Sequence, residues 1–339
     1  MRSGYSVGPS SAHANRNAGR RARRVFVSFM VAKNLLAARR SGHNRPVHEL
    51  LIPDRPTRQE AAERCRRALR ERWRGASLAA RALGRSVPEE VLALVSWFEL
   101  LRALDEEERG VEEARGVVRD LEEGEPRSAI AVLLRPTVSR YSLSLLDLLA
   151  PAHERARPRG VFDTRSELVR HARRLVDPEV RALLRVLGMT GERDEVLARS
   201  LALGLQGVRW IRRLPVDVAR GRIHLPMDEL RSADLNVFEL PDALDHKDDL
   251  RARRIVADEV QWARGELAKG WPLTRELGWR RGRLLAFWLR WNAATLSAVE
   301  ANGYRVGPRG VPAGWLRLGA CAVAAAASPR SPFRGSAQG

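Results

Sequence analysis

The sequence predicts an all-α protein, and three observations lead to that prediction. From Pro56 to Cys321, apolar residues recur at the i, i+3, i+4 and i+7 positions that share one face of a helix. Alternating runs of β-branched residues, which would indicate strands, are almost missing from the sequence. No fixed-period repeat is visible, so a solenoid is not expected. We therefore predict one helical domain over residues 56–327.

The segment from Glu89 to Ala103 is apolar on nearly every side, which predicts a buried central helix. Pro88 precedes it and suits the first turn of a helix, where the missing N–H has no intrahelical partner. The same periodicity predicts further helices over 128–149, 164–187, 192–212, 251–269, 279–302 and 312–327. Turn-forming residues predict the breaks between helices at Pro136, Pro151, Pro158, Gly188, the Pro241 region and Gly303.

Positive charge is concentrated at the start of the chain. The 339 residues include 60 Lys and Arg against 41 Asp and Glu, a formal net charge of +19. Residues 1–75 hold 18 of the basic and only 5 of the acidic side chains. The charge therefore does not indicate a protein built as a whole for nucleic acid, and no specific nucleic-acid partner is expected. Residues 1–55 are predicted to be a basic, disordered arm and residues 328–339 a disordered tail.

Two features of the arm bear on location. The apolar stretch Val25–Ala38 is interrupted by Lys33 and is too short for a membrane span, which needs about 20 residues. Arg23 and Arg24 before it resemble an export signal, but no cleavage site follows, so export is not predicted. We expect a cytoplasmic protein, and two interpretations of the arm stay open. It is either a poorly ordered extension or a basic amphipathic segment at the inner face of the membrane.

Cysteine and arginine usage give further indications. Cys65 and Cys321 are too few for a disulfide framework or a cysteine metal site, which fits a reducing compartment. The basic residues include three lysines, Lys33, Lys247 and Lys269, and the remainder are arginine. Such a bias is typical of a GC-rich bacterial genome and indicates no particular ligand.

Four segments carry a family resemblance. They are Ser77–Leu83 with Ser96–Asp105, then Phe162–Val176, Leu205–Pro226 and Val299–Val306. In this order they resemble motifs of the squalene/phytoene synthase family, the head-to-head prenyl diphosphate synthases. The most specific part is Gly221-Arg-Ile-His-Leu-Pro226, similar to Gly-Arg-x-Tyr-Leu-Pro at the same distance behind a helix. The resemblance covers roughly residues 75–325.

The resemblance implies a fold and a chemistry. The fold is an isoprenoid synthase-type helical bundle around a central apolar cavity. The activity is transfer of one prenyl diphosphate onto another in isoprenoid or carotenoid biosynthesis, with Mg²⁺ as cofactor. The partner is a prenyl diphosphate or another isoprenoid lipid. In this family an Asp-x-x-x-Asp motif on each of two facing helices holds Mg²⁺, because i and i+4 put both carboxylates on one face.

Both Asp-rich motifs are altered in this sequence. The first becomes Asp105-Glu-Glu-Glu-Arg109 and the second Arg213-Leu-Pro-Val-Asp217, while Arg209 replaces the family's Asn. We therefore expect a synthase-like prenyltransferase that is weak or inactive in Mg²⁺-dependent condensation. Whether the protein is an enzyme stays open. The alternative is a non-catalytic prenyl-diphosphate-binding or assembly protein of the same fold.

The candidate site residues follow from these motifs, and no catalytic residue is assigned. Forked guanidinium groups suit diphosphate oxygens, and the candidates are Arg102, Arg209, Arg212, Arg213 and Arg222. The candidate metal ligands are Asp105, Glu108 and Asp217. Asp105 and Glu108 lie three residues apart and either hold one Mg²⁺ or form a solvated acidic helix end. Arg213 either binds diphosphate or forms an ion pair with the Asp105 region.

Other family positions also carry changed residues, and a structural role for His224 stays open. His171, His224 and Asn292 stand where the family has tyrosines, and His171 is expected to be packed rather than to act as a base. The tryptophans Trp271, Trp279, Trp288 and Trp291 are expected in the core. Asp105 and Asp217 are expected to face each other across the cavity mouth. A rival hypothesis is a basic helical protein without a cavity that binds nucleic acid or membrane through residues 1–75.

Overall fold

The structure is a computed structural model, described over residues 48–72, 88–106, 110–156, 161–189, 191–246, 249–306 and 331–333. At residues 105, 106, 110, 278–281, 283, 284 and 288 only the backbone is described. Within these ranges the chain forms helices and no strand, apart from an isolated parallel bridge between Phe162 and Pro226. The all-α prediction is confirmed.

The helices are numbered in chain order. A 3₁₀ turn over Glu49–Leu51 comes first. The α-helices of the described ranges are α1 (Arg58–Arg72), α2 (Glu89–Glu106), α3 (Gly110–Glu122), α4 (Ala129–Tyr141), α5 (Leu145–Ala156), α6 (Arg165–Leu187), α7 (Glu192–Val218), α8 (Met227–Ser232), α9 (Leu240–Asp245), α10 (Leu250–Gly270), α11 (Leu273–Glu276) and α12 (Gly278–Ala301). The helix predicted over 312–327, the Ser77–Leu83 segment and the predicted break at Pro158 lie outside the described residues.

Helix α2 is the buried central helix that the sequence predicted. It begins directly after Pro88, and every residue from Val91 to Leu104 is buried. It packs against α1, α3, α4, α5 and α6, so apolar side chains meet neighbours on all sides. The prediction is confirmed because a helix that is apolar all round is stable only when other elements surround it.

The most extensive helix–helix contact joins α7 to α10, and glycines make the close approach possible. A Cβ atom added to Gly204 would lie 2.7 Å from the backbone nitrogen of Leu267. One added to Gly207 would lie 2.7 Å from the Trp262 ring. Both distances are far below van der Waals contact, so only glycine lets the two helices pack this closely. One face of α7 is therefore fixed against α10.

The helix ends show where the sequence patterns held and where they failed. Helix α6 matches the predicted 164–187 closely, since the Thr164 hydroxyl caps its first turn and Gly188 ends it at φ +64°. Pro136 and Pro151, predicted as breaks, lie inside α4 and α5, and those two predictions are wrong. The chain turns instead at Ser142, with φ +47°. A proline removes one helical hydrogen bond, and tertiary packing of the flanking turns compensates for that loss.

Residues 48–55 pack against the helical domain. Leu50 is buried, and the backbone N–H of Arg55 donates to the Arg127 carbonyl at 2.8 Å. The packed chain therefore begins ahead of the boundary predicted at residue 56, whereas residues 1–47 lie outside the described residues. Among the residues described, no helix combines the length and apolar character needed to cross a bilayer.

Candidate functional site

One stripe of α7 carries the residues whose sequence resembles the second Asp-rich motif of the family. Gln206, Arg209, Arg213 and Asp217 follow one another at three- and four-residue intervals, so they share one face of the helix. Gln206 and Asp217 are buried, and the two arginines are half-buried. The glycines at 204 and 207 lie on the face that meets α10. The polar stripe therefore points away from α10.

Arg213 and Asp217 form an ion pair within α7. The Nε and Nη2 atoms of Arg213 each donate to Oδ1 of Asp217 at 3.3 Å. Because both side chains are largely removed from water, this pair is weakly screened. The prediction that Arg213 pairs instead with the Asp105 region stays untested, since only the backbone of Asp105 is described.

Of the three candidate ligands for Mg²⁺, the cofactor that the resemblance implies, the structure describes the side chain of Asp217. Magnesium needs carboxylate oxygens with little competing positive charge nearby, and the Asp217 carboxylate already contacts a guanidinium. Across the residues that the structure describes, no three His, Cys, Asp or Glu side chains are grouped to hold a metal. Glu108 lies outside the described residues, and the side chain of Asp105 is not described. The facing of Asp105 and Asp217 therefore stays a prediction.

Two more of the predicted arginines lie beside this stripe. Arg212 is 8% exposed, and burial lowers its pKa to about 10. A cation held out of water in this way gains stability when an anion approaches it. Arg222 is half-buried in the turn after α7, where its backbone N–H donates to the Asp217 carbonyl at 2.7 Å. Gly221 makes that turn possible, with φ +68°.

Arg102, the fifth predicted diphosphate ligand, lies in the core rather than at an open surface. Its guanidinium is 1% exposed and donates to Glu99 at 2.5 Å and to Glu179 of α6. Burial opposes the charged form, yet Glu179 and Glu99 together raise the pKa of Arg102. The side chain therefore stays charged and joins α2 to α6. Glu179 could not have been located beside Arg102 from sequence alone, since it is 77 residues away.

A group of aromatic and histidine rings surrounds the loop after α7. His224 stacks on Trp210 of α7 with ring centroids 4.9 Å apart, and His171 lies 6.1 Å from His224. Nδ1 of His171 is 2.8 Å from Oε1 of Glu154, a buried carboxylate of α5. Both histidines are therefore packed in the protein interior, as the sequence led us to expect for His171. Trp210 and Glu154 were not predicted from the sequence. Their contacts with His224 and His171 join elements that are distant in the chain.

Arg165 is a further residue that was not predicted from the sequence. It donates to Glu229 of α8 through Nε at 2.8 Å, and its Nη2 lies 2.7 Å from Glu259 of α10. Its guanidinium also lies over the Trp262 ring, 5.3 Å from the centroid. Burial raises the pKa of Glu259 to about 7 despite the opposing effect of Arg165. The only indication of Arg165 in the sequence was its position directly after Thr164, the residue that caps α6.

These contacts fix the loop that carries Arg222 and His224. The backbone N–H of Met227 donates to the Phe162 carbonyl at 2.7 Å, next to the Phe162–Pro226 bridge. Arg165 then holds α8, which directly follows the loop, against α6 and α10. The Gly221–Pro226 turn is thus tied at both of its ends.

The remaining predicted core residues have mixed outcomes. Trp271, Trp291 and Asn292 are buried, as expected for the first two. The side chains of Trp279 and Trp288 are not described. Asn292 is 1% exposed in α12, so the family's late tyrosine position is part of the interior here.

Comparison with known proteins decides the family. The squalene/phytoene synthase family model matches residues 64–317, most of the chain. The chain belongs to the squalene/phytoene synthase family. No curated protein sequence matches it. The matched range includes Arg109, Arg209 and Arg213, the positions at which the sequence differs from the family motifs quoted above.

Solved structures confirm the fold. Squalene synthase HpnC from Alicyclobacillus acidocaldarius aligns with a TM-score of 0.61 and 20% identity, over 77% of this chain and 99% of that one. A dehydrosqualene synthase in complex with ligand aligns with a TM-score of 0.65 and 13% identity, over 79% of this chain and 96% of that one. At these identities the likeness shows a shared fold. The isoprenoid synthase-type bundle is thereby confirmed, and the apolar cavity stays a prediction.

Proposed function

We propose that this member of the squalene/phytoene synthase family binds a prenyl diphosphate on the arginines of α7 and the following turn. In this proposal it is a prenyltransferase of isoprenoid or carotenoid biosynthesis whose Mg²⁺-dependent condensation is weak or absent. The observation that carries the proposal is the Arg213–Asp217 ion pair. The Arg213 guanidinium lies where the family has a carboxylate, and it contacts Asp217, the remaining carboxylate of that motif.

Charge at the stripe supports an anionic ligand. Arg209, Arg212, Arg213 and Arg222 bring four guanidinium groups to the stripe and the turn after it. Charge-assisted hydrogen bonds from guanidinium groups to phosphate oxygens are among the stronger ones in proteins, and their forked geometry orients the ligand. Burial around Arg212 excludes water and strengthens such bonds. In the proposal, therefore, arginines do the work of neutralising the diphosphate that bridging metal ions do in the family.

The Arg213–Asp217 ion pair also favours a second candidate, a non-catalytic prenyl-diphosphate-binding or assembly protein. Ionisation of an allylic diphosphate requires stabilisation of the leaving pyrophosphate as charge develops on it. Arginines that bind the substrate and the leaving group equally well improve binding without accelerating the reaction. Both candidates share the diphosphate site and differ only in turnover. A cytoplasmic location, with peripheral membrane contact through the prenyl ligand, belongs to both.

Calorimetry on the full chain tests the site. We expect farnesyl diphosphate to bind with a micromolar dissociation constant in the presence of EDTA, and farnesol, which lacks the diphosphate, to bind far more weakly. Arg212→Met should weaken binding at least tenfold. Arg193→Met is the matched control, because Arg193 lies on the same helix with its side chain 77% exposed. Metal-dependent binding, or equal binding of farnesol, would contradict the arginine site.

Product analysis separates the two candidates. The full chain is incubated with farnesyl or geranylgeranyl diphosphate and Mg²⁺, and pyrophosphate and hydrocarbon products are quantified. Slow release of pyrophosphate with a head-to-head product supports the weak enzyme, whereas binding without turnover supports the non-catalytic protein. Robust Mg²⁺-dependent condensation would overturn both, and it would indicate that Asp105 and Glu108 form a working metal site.

A further inference from the structure

Two large apolar side chains are exposed at one surface of the domain. Phe238, in the turn before α9, is 91% exposed, and Leu250, the first residue of α10, is 73% exposed. Arg251 lies next to Leu250 and contacts Glu239, the neighbour of Phe238, at 3.5 Å. The two apolar side chains therefore belong to one region, which we call the Phe238 surface.

The backbone holds Phe238 in this exposed position. The side-chain oxygen of Asn236 accepts hydrogen bonds from the backbone N–H groups of Phe238 and Glu239, at 2.8 and 3.0 Å. Arg251 donates to the Asp234 carbonyl at 3.0 Å and so ties the turn to α10. Leu235 and Leu240 on either side are buried. Phe238 thus projects from an anchored turn and does not pack back onto the domain.

The Phe238 surface is acidic, although the protein is strongly basic. From Met227 to Arg251 the chain carries eight acidic side chains and three basic ones, Arg231, Lys247 and Arg251. Of these acidic residues, Asp228, Asp234, Glu239, Asp242 and Asp245 are exposed. An anionic bilayer or a nucleic acid would be repelled here. The chemistry instead fits an occupant that is both cationic and apolar.

The chain itself contains such a segment outside the described residues. Residues 1–47 include ten Arg and Lys and no Asp or Glu. Val25–Ala38 supplies apolar side chains, among them Phe26, Phe29 and Leu35. The nine residues from Arg39 to Val47, which link this segment to the described chain, reach about 30 Å when extended, at roughly 3.3 Å per residue. A domain of about 250 residues has a radius of gyration of only about 18 Å. The linker is therefore longer than one radius of gyration, and the segment can contact surfaces within about 30 Å of His48.

We propose that Val25–Ala38 of the same molecule docks on the Phe238 surface. Its apolar side chains cover Phe238 and Leu250, and the flanking arginines meet the acidic side chains between Asp228 and Asp245. The surface complements the segment in both charge and hydrophobicity. Docking removes two exposed apolar side chains from water and offsets the local negative charge.

Photo-crosslinking in the full chain tests the occupant. A benzophenone amino acid replaces Phe238, and a second protein carries it at Leu146, which is 80% exposed at the start of α5. We expect the probe at 238, and not the one at 146, to crosslink to peptides from residues 20–40 within one molecule. Crosslinks that join two molecules, that go to added phosphatidylglycerol vesicles, or that avoid residues 20–40 would overturn the proposal.

Limited proteolysis gives an independent readout without a probe. Trypsin cleaves after the arginines of residues 16–40, and docking should protect those bonds. Phe238→Ser should accelerate this cleavage at least fivefold in low salt, and 1 M salt should produce a similar acceleration in the unmodified chain. Leu146→Ser is the matched control and should leave the rate unchanged. Equal rates in the Phe238→Ser and Leu146→Ser proteins would contradict the docking.

Discussion

Arg213 donates to Asp217 one helical turn further along α7, with both nitrogen–oxygen distances at 3.3 Å. In this family the two positions hold the carboxylates of the second Asp-rich motif, so the spacing is kept and the charge of one member is reversed. An i, i+4 pair on a helix forms an ion pair as readily as a metal site. In this structure the two positions form an ion pair within one helix.

Restoring the acidic pair should replace metal-free binding of the diphosphate by Mg²⁺-dependent binding. Arg213→Asp places two carboxylates on one face of α7, and it removes one diphosphate donor. We expect metal-free farnesyl diphosphate binding to weaken at least tenfold, and Mg²⁺ to recover part of that loss. Calorimetry with EDTA and with Mg²⁺ measures both effects. Arg213→Gln is the control: it should weaken binding without any gain from Mg²⁺. Unchanged metal-free affinity in both variants would exclude Arg213 from the site.

Replacing Arg102 tests its place in the core. Arg102→Met would leave Glu99 and Glu179 buried together without their counter-ion. Losing one partner of a buried ion pair costs about 3–5 kcal/mol, so urea unfolding should show a loss of that size. Arg102→Lys keeps the charge and should lose less. Affinity of the folded protein for farnesyl diphosphate should change little. A large drop in affinity with unchanged stability would instead make Arg102 a ligand of the diphosphate.

Glu259 should make stability depend on pH. Its pKa rises from 4.5 in the unfolded chain to about 7 in the folded protein, chiefly through burial. Between about pH 4.5 and 7 the folded state therefore holds a proton that the unfolded state has lost. Stability from this group is complete below about pH 4.5 and falls as the pH rises through 7, by on the order of 3 kcal/mol.

The test is urea unfolding of Glu259→Gln at pH 5 and pH 7.5. Glutamine cannot ionise, so the difference in unfolding free energy between the two pH values should shift by the contribution of Glu259. Glu300→Gln is the control, because Glu300 is also paired with an arginine, Arg264, at 2.7 Å. If Glu259→Gln retains the full pH dependence of the unmodified protein, the buried carboxylate is not its source.

Two glycine substitutions should have opposite effects. Gly204→Ala would drive a methyl group into Leu267, so it should destabilise the protein by about 1–3 kcal/mol. Gly265→Ala lies on the partner helix α10, where an added Cβ meets nothing within 4 Å. That change should stabilise by about 0.5–1 kcal/mol, because alanine loses less backbone freedom than glycine in a helix. Thermal unfolding compares the two. Equal shifts would show that α7 and α10 are not so closely packed.

The sequence by itself determined the all-α class, the central position of α2, the bounds of α6 and the family. Apolar periodicity and end signals are local, and at Thr164 and Gly188 they placed both ends of α6. Local signals also produced the errors. Pro136 and Pro151 indicated breaks, yet α4 and α5 continue through them, since packing of neighbouring turns outweighs one missing hydrogen bond.

Only the tertiary structure decided the partners of the charged residues. The sequence grouped Arg102 with Arg212 and Arg213, because all three lie near the altered motifs. The fold places Glu179 against Arg102 and Glu259 against Arg165, on helices far apart in the chain. Burial in the fold also shifts pKa values: it lowers the pKa of Arg212 and raises that of Glu259. Long-range pairing and desolvation depend on the assembled helices, and neither leaves a periodic signal in the sequence.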